Sequence, residues 1–249
     1  MRAGRRWLLV AAIGLLAGDA VLVLRDADRA RARPAETAQP RAVDAGPEVV
    51  LVVPHAKQPI VLDGHLTDPA WLEEAVRTGP FLASDGTSLG HQYSEARFLW
   101  GDGQLYVGLY ASDEDIRATH ETQDSQVWRD DSFRLAFDDG AREYLFDVSA
   151  LGVIADGVRA KASASTAFDY VWNSQARVAH ELEGTPNDPS NNDEEWVLEL
   201  AIPLASLGLK GAHGERIGLW LSRCDTAKGQ PRSCGDWGRT HGRGALVLD

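Results

Sequence analysis

Cys224 and Cys234 are the only cysteines in the chain, and the nine residues between them include Gly229 and Pro231. Two thiols so close in sequence usually pair in an oxidising compartment, so a disulfide is expected here. On the chain-entropy account, closing so short a loop stabilises a fold by roughly 2–3 kcal/mol. A two-cysteine metal site would call for nearby histidines and a shorter spacing, and the sequence offers neither. A second group lies around Arg134. If Asp139-Gly140 forms a two-residue turn, Leu135 stands opposite Tyr144 and Phe133 opposite Phe146. The other face of that hairpin then carries Arg134 diagonal to both Glu143 and Asp147, within side-chain reach of each. By default such a group is a solvated charge cluster of small energetic weight. Acidic loops at Asp113-Glu114-Asp115, Asp130-Asp131, Asp138-Asp139 and 187–195 have the oxygen-rich composition that calcium needs. None has EF-hand spacing, and most loops of this kind are solvated turns.

Catalytic chemistry is not indicated, and no enzymatic role is expected. Counting among 37 acids singles out no carboxylate pair of the sort a glycosidase places about its scissile bond. The seven histidines are scattered, and His-Glu-x-x-His, Gly-x-Ser-x-Gly and phosphate-loop patterns are absent. A haem site would have to use a His/His or His/Lys pair, because the sole methionine is Met1 and there is no Cys-x-x-Cys-His.

The chain has 249 residues, 44% apolar and 25% charged, enough to bury one large core. Its net charge is −12, but the first 47 residues hold eight arginines against five acids, so the remainder carries −15. A surface of that sign repels phosphate backbones and anionic headgroups, which argues against nucleic acid as a partner. Trp7 to Leu24 is an 18-residue apolar run behind Arg2, Arg5 and Arg6. By the positive-inside rule it sends the remainder outward. Val21 to Leu24 continue the run past the candidate cleavage residue Ala20, which favours an uncleaved anchor and an N-terminal membrane contact. The expected location is extracytoplasmic, periplasmic or secreted. Residues 25–47, rich in Arg, Ala, Asp and Pro, read as a disordered spacer.

From residue 48 to 249 short alternating runs dominate, separated by Gly, Asp and Pro clusters. The fold class expected is all-β, a two-sheet antiparallel, jelly-roll-like sandwich preceded by one N-terminal apolar helix. In the hairpin turning at Asp102-Gly103, Trp100 stands opposite Leu105 and Phe98 opposite Val107. Thr67 to Ala75 predicts one or two helical turns, with Asp68 as N-cap and Pro69 at the first helical position, lidding one end of the sandwich. Later strands are expected at 175–181, 195–203, 216–223 and 244–248. Trp71, Trp100 and Trp196 fall on core parity. Trp172 suits either the core or an aromatic wall.

Four segments, in this order and spacing, closely resemble the family 9 carbohydrate-binding modules often attached to xylanases. They are Ile60-Val-Leu-Asp-Gly-His-Leu-Thr-Asp-Pro-Ala-Trp71, the Ala96 to Tyr110 hairpin, Val127-Trp-Arg-Asp-Asp-Ser-Phe133 and Trp196-Val-Leu-Glu-Leu-Ala-Ile-Pro203. The resemblance covers about residues 57 to 249. It implies a sandwich that captures the end of a glycan chain between two tryptophans: Trp128, in the motif with Asp131 and Ser132, and Trp237, at a fixed interval before Gly244. Two indoles can bury both C–H faces of a pyranose while polar groups serve its rim hydroxyls. Arg134, Asp147 and Glu143 are the polar contacts the resemblance implies. Arg134 stands where sugar-binding members have a glutamate, and Asp147 where they have an arginine, so both charges are reversed. The resemblance also implies a structural calcium and a role supporting polysaccharide breakdown by other polypeptides. The rival expectation is a structural or protein-binding sandwich that has lost its sugar site.

Overall fold

The computed structural model describes residues 48–83, 92–237 and 243–249, so the expected anchor (7–24) and spacer (25–47) lie outside the described residues. Among the described residues no helix is long and apolar enough to cross a membrane. In chain order the strands are β1 (Val49–Val53), β2 (Val76–Arg77), β3 (Phe81–Ala83), β4 (Ser94–Gly101), β5 (Gln104–Ser112), β6 (Ser132–Asp138), β7 (Arg142–Ser149), β8 (Ile154–Ala160), β9 (Arg177–Glu183), β10 (Glu195–Pro203), β11 (Arg216–Asp225), β12 (Ser233–Trp237) and β13 (Arg243–Leu248). They form two sheets. The larger runs β1-β13-β11-β6-β7-β8, with β12 pairing the far end of β11 and β3; the smaller runs β2-β4-β5-β10-β9. All pairs between these strands are antiparallel except β1 with β13, which is parallel, so the all-antiparallel expectation is corrected at that edge.

Period-2 alternation decides which side chains go between the sheets. Phe98, Val107, Leu109, Trp196, Leu198, Leu200 and Ile202 face inward from the smaller sheet. Phe133, Leu135, Phe137, Phe146, Val148, Leu219, Leu221 and Leu246 meet them from the larger one. The Phe133 and Trp196 rings, one from each sheet, pack edge-on with centroids 5.1 Å apart. Trp100 and Trp196 are therefore core residues, as their parity requires. The β4–β5 hairpin has the expected register, Trp100 with Leu105 and Phe98 with Val107.

The β6–β7 hairpin does not. Asp138 pairs Glu143, Phe137 pairs Tyr144 and Leu135 pairs Phe146, a slip of two residues from the two-residue turn expected at Asp139-Gly140. The physical reason is the loop itself. The Asp139 carboxylate accepts the N–H groups of Ala141 and Arg142 at 2.8 and 2.6 Å and the Tyr144 hydroxyl at 2.8 Å, which holds a longer turn. A slip of two keeps every side chain on its face, so the core was read correctly although the pairing was not.

The helical segment after Pro69 is a single turn, Ala70–Glu74, and it lies on the outer face of the smaller sheet rather than at an end. Asp68 does not cap it by its side chain, which instead accepts the Val61 N–H at 2.8 Å. Trp71 is fully buried over Gly108, where a Cβ would stand 2.5 Å from Leu66. Glu199, also fully buried, accepts the Asp63 and Gly64 N–H groups at 2.8 and 2.7 Å and the Trp71 indole N–H at 2.6 Å. Burial pushes its carboxyl pKa upward, and those three donors oppose the shift. The Asp-Gly…Trp motif is thus a staple: one carboxylate ties the chain's first long loop to β10.

Trp71→Phe keeps an aromatic ring but leaves Glu199 Oε1 buried without a donor, and should cost about 1–3 kcal/mol. Gly64→Ala should cost more, because Gly64 has φ +94° and an added Cβ would meet the His180 carbonyl carbon at 2.6 Å. Urea unfolding midpoints of the two variants check both the direction and the order.

Candidate functional site

The outer face of the larger sheet is built by the residues of opposite parity. Across its strands, Arg243, Trp220, Ala136, Leu145 and Gly157 stand in one row, and Asp236, Ser222, Arg134, Asp147 and Ala155 in the next. Over this face lies a groove of about 590 Å³, within the size range of small-molecule sites. Ala136, Leu145 and Gly218 line its floor, with Trp220 and Arg243 on the β11–β13 side and Phe168 and Arg159 on the β8 side.

The β8 wall comes from a segment that doubles back on the strand. Val158 and Asp169 exchange backbone hydrogen bonds at 2.8 and 3.2 Å, laying Phe168 and Tyr170 over Gly157. A Cβ at Gly157 would stand 3.2 Å from Phe168 and 3.3 Å from Tyr170, so glycine is what admits the rings. The Arg159 guanidinium lies 4.6 Å from the Phe168 centroid and bonds the Thr166 carbonyl at 2.8 Å, pinning the segment. Trp172, beyond the turn at 170–171, meets Tyr144 and Phe146 and packs against the core, which settles its two readings in favour of packing.

Arg134 sits directly opposite Asp147, and its Nε and Nη2 bind the two carboxylate oxygens at 2.6 and 2.8 Å. Asp147 is 1% exposed beneath it. Burial raises the Asp147 pKa, while Arg134 and then Arg232 pull it down. Glu143 lines the groove but pairs with Arg159, not Arg134, because the two-residue slip moved it one pair further along. The charge reversal therefore leaves an intact bidentate pair rather than two stranded charges.

Trp128 stands in a single 3-10 turn, Val127–Arg129, half-buried, with its ring 6.0 Å from Tyr170 and tilted 30° to it. Tyr170 in turn lies 6.5 Å from Phe168, so a chain of three rings leads from the turn to the groove wall. Trp237 is elsewhere. It is 2% exposed and packs in the core, and a Cβ at Gly244 would meet its ring at 2.6 Å. The Trp237–Gly244 interval thus has a packing cause: the glycine makes room for the indole. The expected pair of indoles facing one another across an open slot is corrected on this point.

Trp220 was missed by sequence reasoning, although a signal existed. In Arg216-Ile-Gly-Leu-Trp-Leu-Ser-Arg223, core parity falls on Ile217, Leu219 and Leu221, which leaves Trp220 on the solvent face. Phe168 and Tyr170 carried no comparable signal, because only the fold-back onto Gly157 places them.

Cys224 and Cys234 are paired neighbours on β11 and β12 and form the expected disulfide. The acidic loops serve internal donors. Asp113 accepts the Trp196 indole N–H at 2.9 Å and Arg223 at 2.8 Å, and Asp193 accepts the Ile116 and Thr185 N–H groups, each at 2.7 Å. Asp130 holds the His120 N–H at 2.9 Å. Among the described residues no group of three or more His, Cys, Asp or Glu side chains is arranged to hold a metal ion. Asp131, fully buried, accepts the Arg117 and Thr226 N–H groups at 2.6 and 2.8 Å. Burial, with Asp113 nearby, nevertheless pushes its pKa up to about 7.

That shift has a sign. The folded carboxyl holds its proton to about pH 7, whereas its ordinary value is 3.8. The folded state therefore binds the extra proton between those values. The associated stability is complete below about pH 4 and is lost as pH rises through about 7. Urea midpoints between pH 4 and 8 should fall with rising pH in the wild type, and Asp131→Asn should flatten that slope.

A family model described as carbohydrate family 9 binding domain-like matches residues 62–243. No curated protein matches the chain. Among solved structures, a putative carbohydrate-binding protein from Bacteroides uniformis is similar at a TM-score of 0.62 and 14% identity, covering 82% of this chain and 100% of that one. A family 9 carbohydrate-binding module from Caldicellulosiruptor kristjanssonii, solved with cellotriose, aligns at a TM-score of 0.53 and 16% identity over 81% of this chain and 94% of its own. The same module with glucose gives 0.53 and 16% over 81% and 96%.

Proposed function

We propose that this chain, which belongs to the carbohydrate family 9 binding domain-like family, binds a neutral saccharide in the groove over the outer face of the larger sheet. Modules of this family are non-catalytic, and the relatives solved with cellotriose and glucose make gluco-oligosaccharides the first ligands to try. The observation that carries the reading is the groove itself: Trp220 beside an apolar floor, facing a wall of Phe168 and Arg159, with the Arg134–Asp147 pair at its rim. A pyranose laid on Trp220 buries a C–H face, while the paired charges offer donors and acceptors to its hydroxyls without presenting a net charge. Arg134 is matched by Asp147, Arg159 by Glu143 and Lys161 by Asp138, which favours an uncharged ligand.

In this reading the chain-end clamp between Trp128 and Trp237 gives way to a groove in which Trp128 and Tyr170 extend the aromatic surface. Residues 7–24 would tether the module on the outer side of a membrane, near enzymes that break down polysaccharide.

Calorimetry of the full chain with glucose and cellotriose tests the reading. Trp220→Ala should weaken binding at least about tenfold, and Trp128→Ala should weaken it by less. Trp237→Ala should act through stability instead, costing about 3–5 kcal/mol as a core truncation. A folded protein that binds no glycan at all would favour the structural or protein-binding alternative.

A further inference from the structure

Resting on the reading that Trp128 belongs to the saccharide surface, we infer that Arg232 is the positioning residue of the Trp128 turn, and that the disulfide-closed β11–β12 hairpin is the arm that holds Arg232 in place. The turn has little to hold itself. It spans Val127–Arg129, no side chain caps it, and its internal bonds are Arg129 N–H to Gln126 and Asp130 N–H to Val127, at 2.9 and 3.0 Å. Val127 is buried and fixes one side, and the Trp128 ring meets Tyr170 at 6.0 Å, which leaves the backbone between them to be held.

Arg232 supplies the missing constraint. Its Nη2 donates to the Trp128 carbonyl at 2.9 Å and lies 3.4 Å from Ser132 Oγ, while Nη1 is 3.8 Å from Asp131 Oδ1. One planar guanidinium therefore spans both ends of the Trp128-x-x-Asp131-Ser132 segment. From the same hairpin, the Thr226 N–H reaches Asp131 at 2.8 Å. Burial lowers the Arg232 pKa, and the nearby Asp131, Asp225 and Asp130 oppose that shift. A lysine keeps the charge but lacks the planar fork that lets one guanidinium reach the Trp128 carbonyl and Ser132 Oγ while standing beside Asp131.

The arm is itself tied at both ends. Cys224 and Cys234 close its base, with Arg232 two residues from the bond. Lys228 Nζ holds the tip to the Asn191 carbonyl and Asn192 Oδ1 at 2.8 and 2.9 Å. Without the disulfide, the β11–β12 and β12–β3 pairings and the Thr226 and Lys228 bonds remain, but the covalent tie nearest Arg232 is lost.

The full chain carrying Arg232→Gln, Arg232→Lys or Cys224→Ser with Cys234→Ser tests this. Three readouts are needed: thermal unfolding, the emission contributed by Trp128 (each protein minus its Trp128→Phe counterpart), and calorimetric affinity for cellotriose. In folded Arg232→Gln, Trp128 emission should shift to the red and affinity should fall about threefold, no further than in Trp128→Ala, with Arg232→Lys intermediate and the cysteine pair changing both in the same direction. Unchanged emission and affinity in a folded Arg232→Gln protein would overturn the inference and leave Arg232 a merely structural ion-pair partner. Should Arg232→Gln fail to fold, Arg232→Lys and the cysteine pair decide by the same two readouts. Should the wild type bind no sugar, the saccharide reading fails, while Trp128 emission still decides the role of Arg232.

Discussion

The two sheets are held in register beneath the site by one buried ion pair. Arg223, from β11 of the larger sheet, is 3% exposed and reaches across the sandwich to Asp113 at 2.8 Å, to Ser94 Oγ at 3.0 Å and to the Ser112 carbonyl at 2.9 Å. Asp113 also takes the Trp196 indole N–H, and the guanidinium lies 5.4 Å from the Trp196 ring. Neither charge could be buried alone. Removing one partner of such a pair typically costs about 3–5 kcal/mol, because the other is left desolvated. The pair thus fixes where β11 lies over β4, β5 and β10, a choice that apolar packing leaves loose.

That placement reaches the outer surface through Asp131. Burial, and then the charge of Asp113, raise the pKa of Asp131, and its carboxyl joins three segments through Arg117, Thr226 and Arg232. The Trp128 turn is the other end of the same short motif. A residue in contact with solvent is therefore held by groups whose energetics are those of the interior. The groove beside it depends on the same sheet for its floor, since alternation that sends Phe133, Leu135 and Phe137 inward sends Arg134, Ala136 and Asp138 outward.

Where the sequence misled, it did so for identifiable reasons. Asp139-Gly140 has the composition of a two-residue turn, but its carboxylate accepts three nearby donors and so stabilises a longer loop. The polar partners along β6 and β7 changed in consequence, while the faces did not. Trp237 and Gly244 keep the spacing of a ligand pair, yet the spacing records one ring packed on one glycine. Strands β2, β3 and β12, each of five residues or fewer, escaped notice, and so did β1 and β8. β1 is a run of valines and leucine without alternation, and β8 contains Asp156, whose side chain accepts the Ser174 N–H, and Gly157, whose missing side chain makes sense only against Phe168 and Tyr170.

What the sequence determined by itself was local. Period-2 alternation specified the all-β class and the core parity of Trp100 and Trp196, Asp102-Gly103 specified one hairpin and its register, and two close cysteines specified their bond. Four ordered motifs specified the family. The tertiary structure alone decided which aromatic rings share a surface. Trp220, Phe168, Tyr170 and Trp128 come from separate stretches of chain, and only the pairing of β11 with β6 and the fold-back onto Gly157 bring them to one face. Parity is a property of consecutive residues and survives in a string of letters. The juxtaposition of distant side chains arises from packing two sheets around a buried ion pair, and it exists only once that packing is complete.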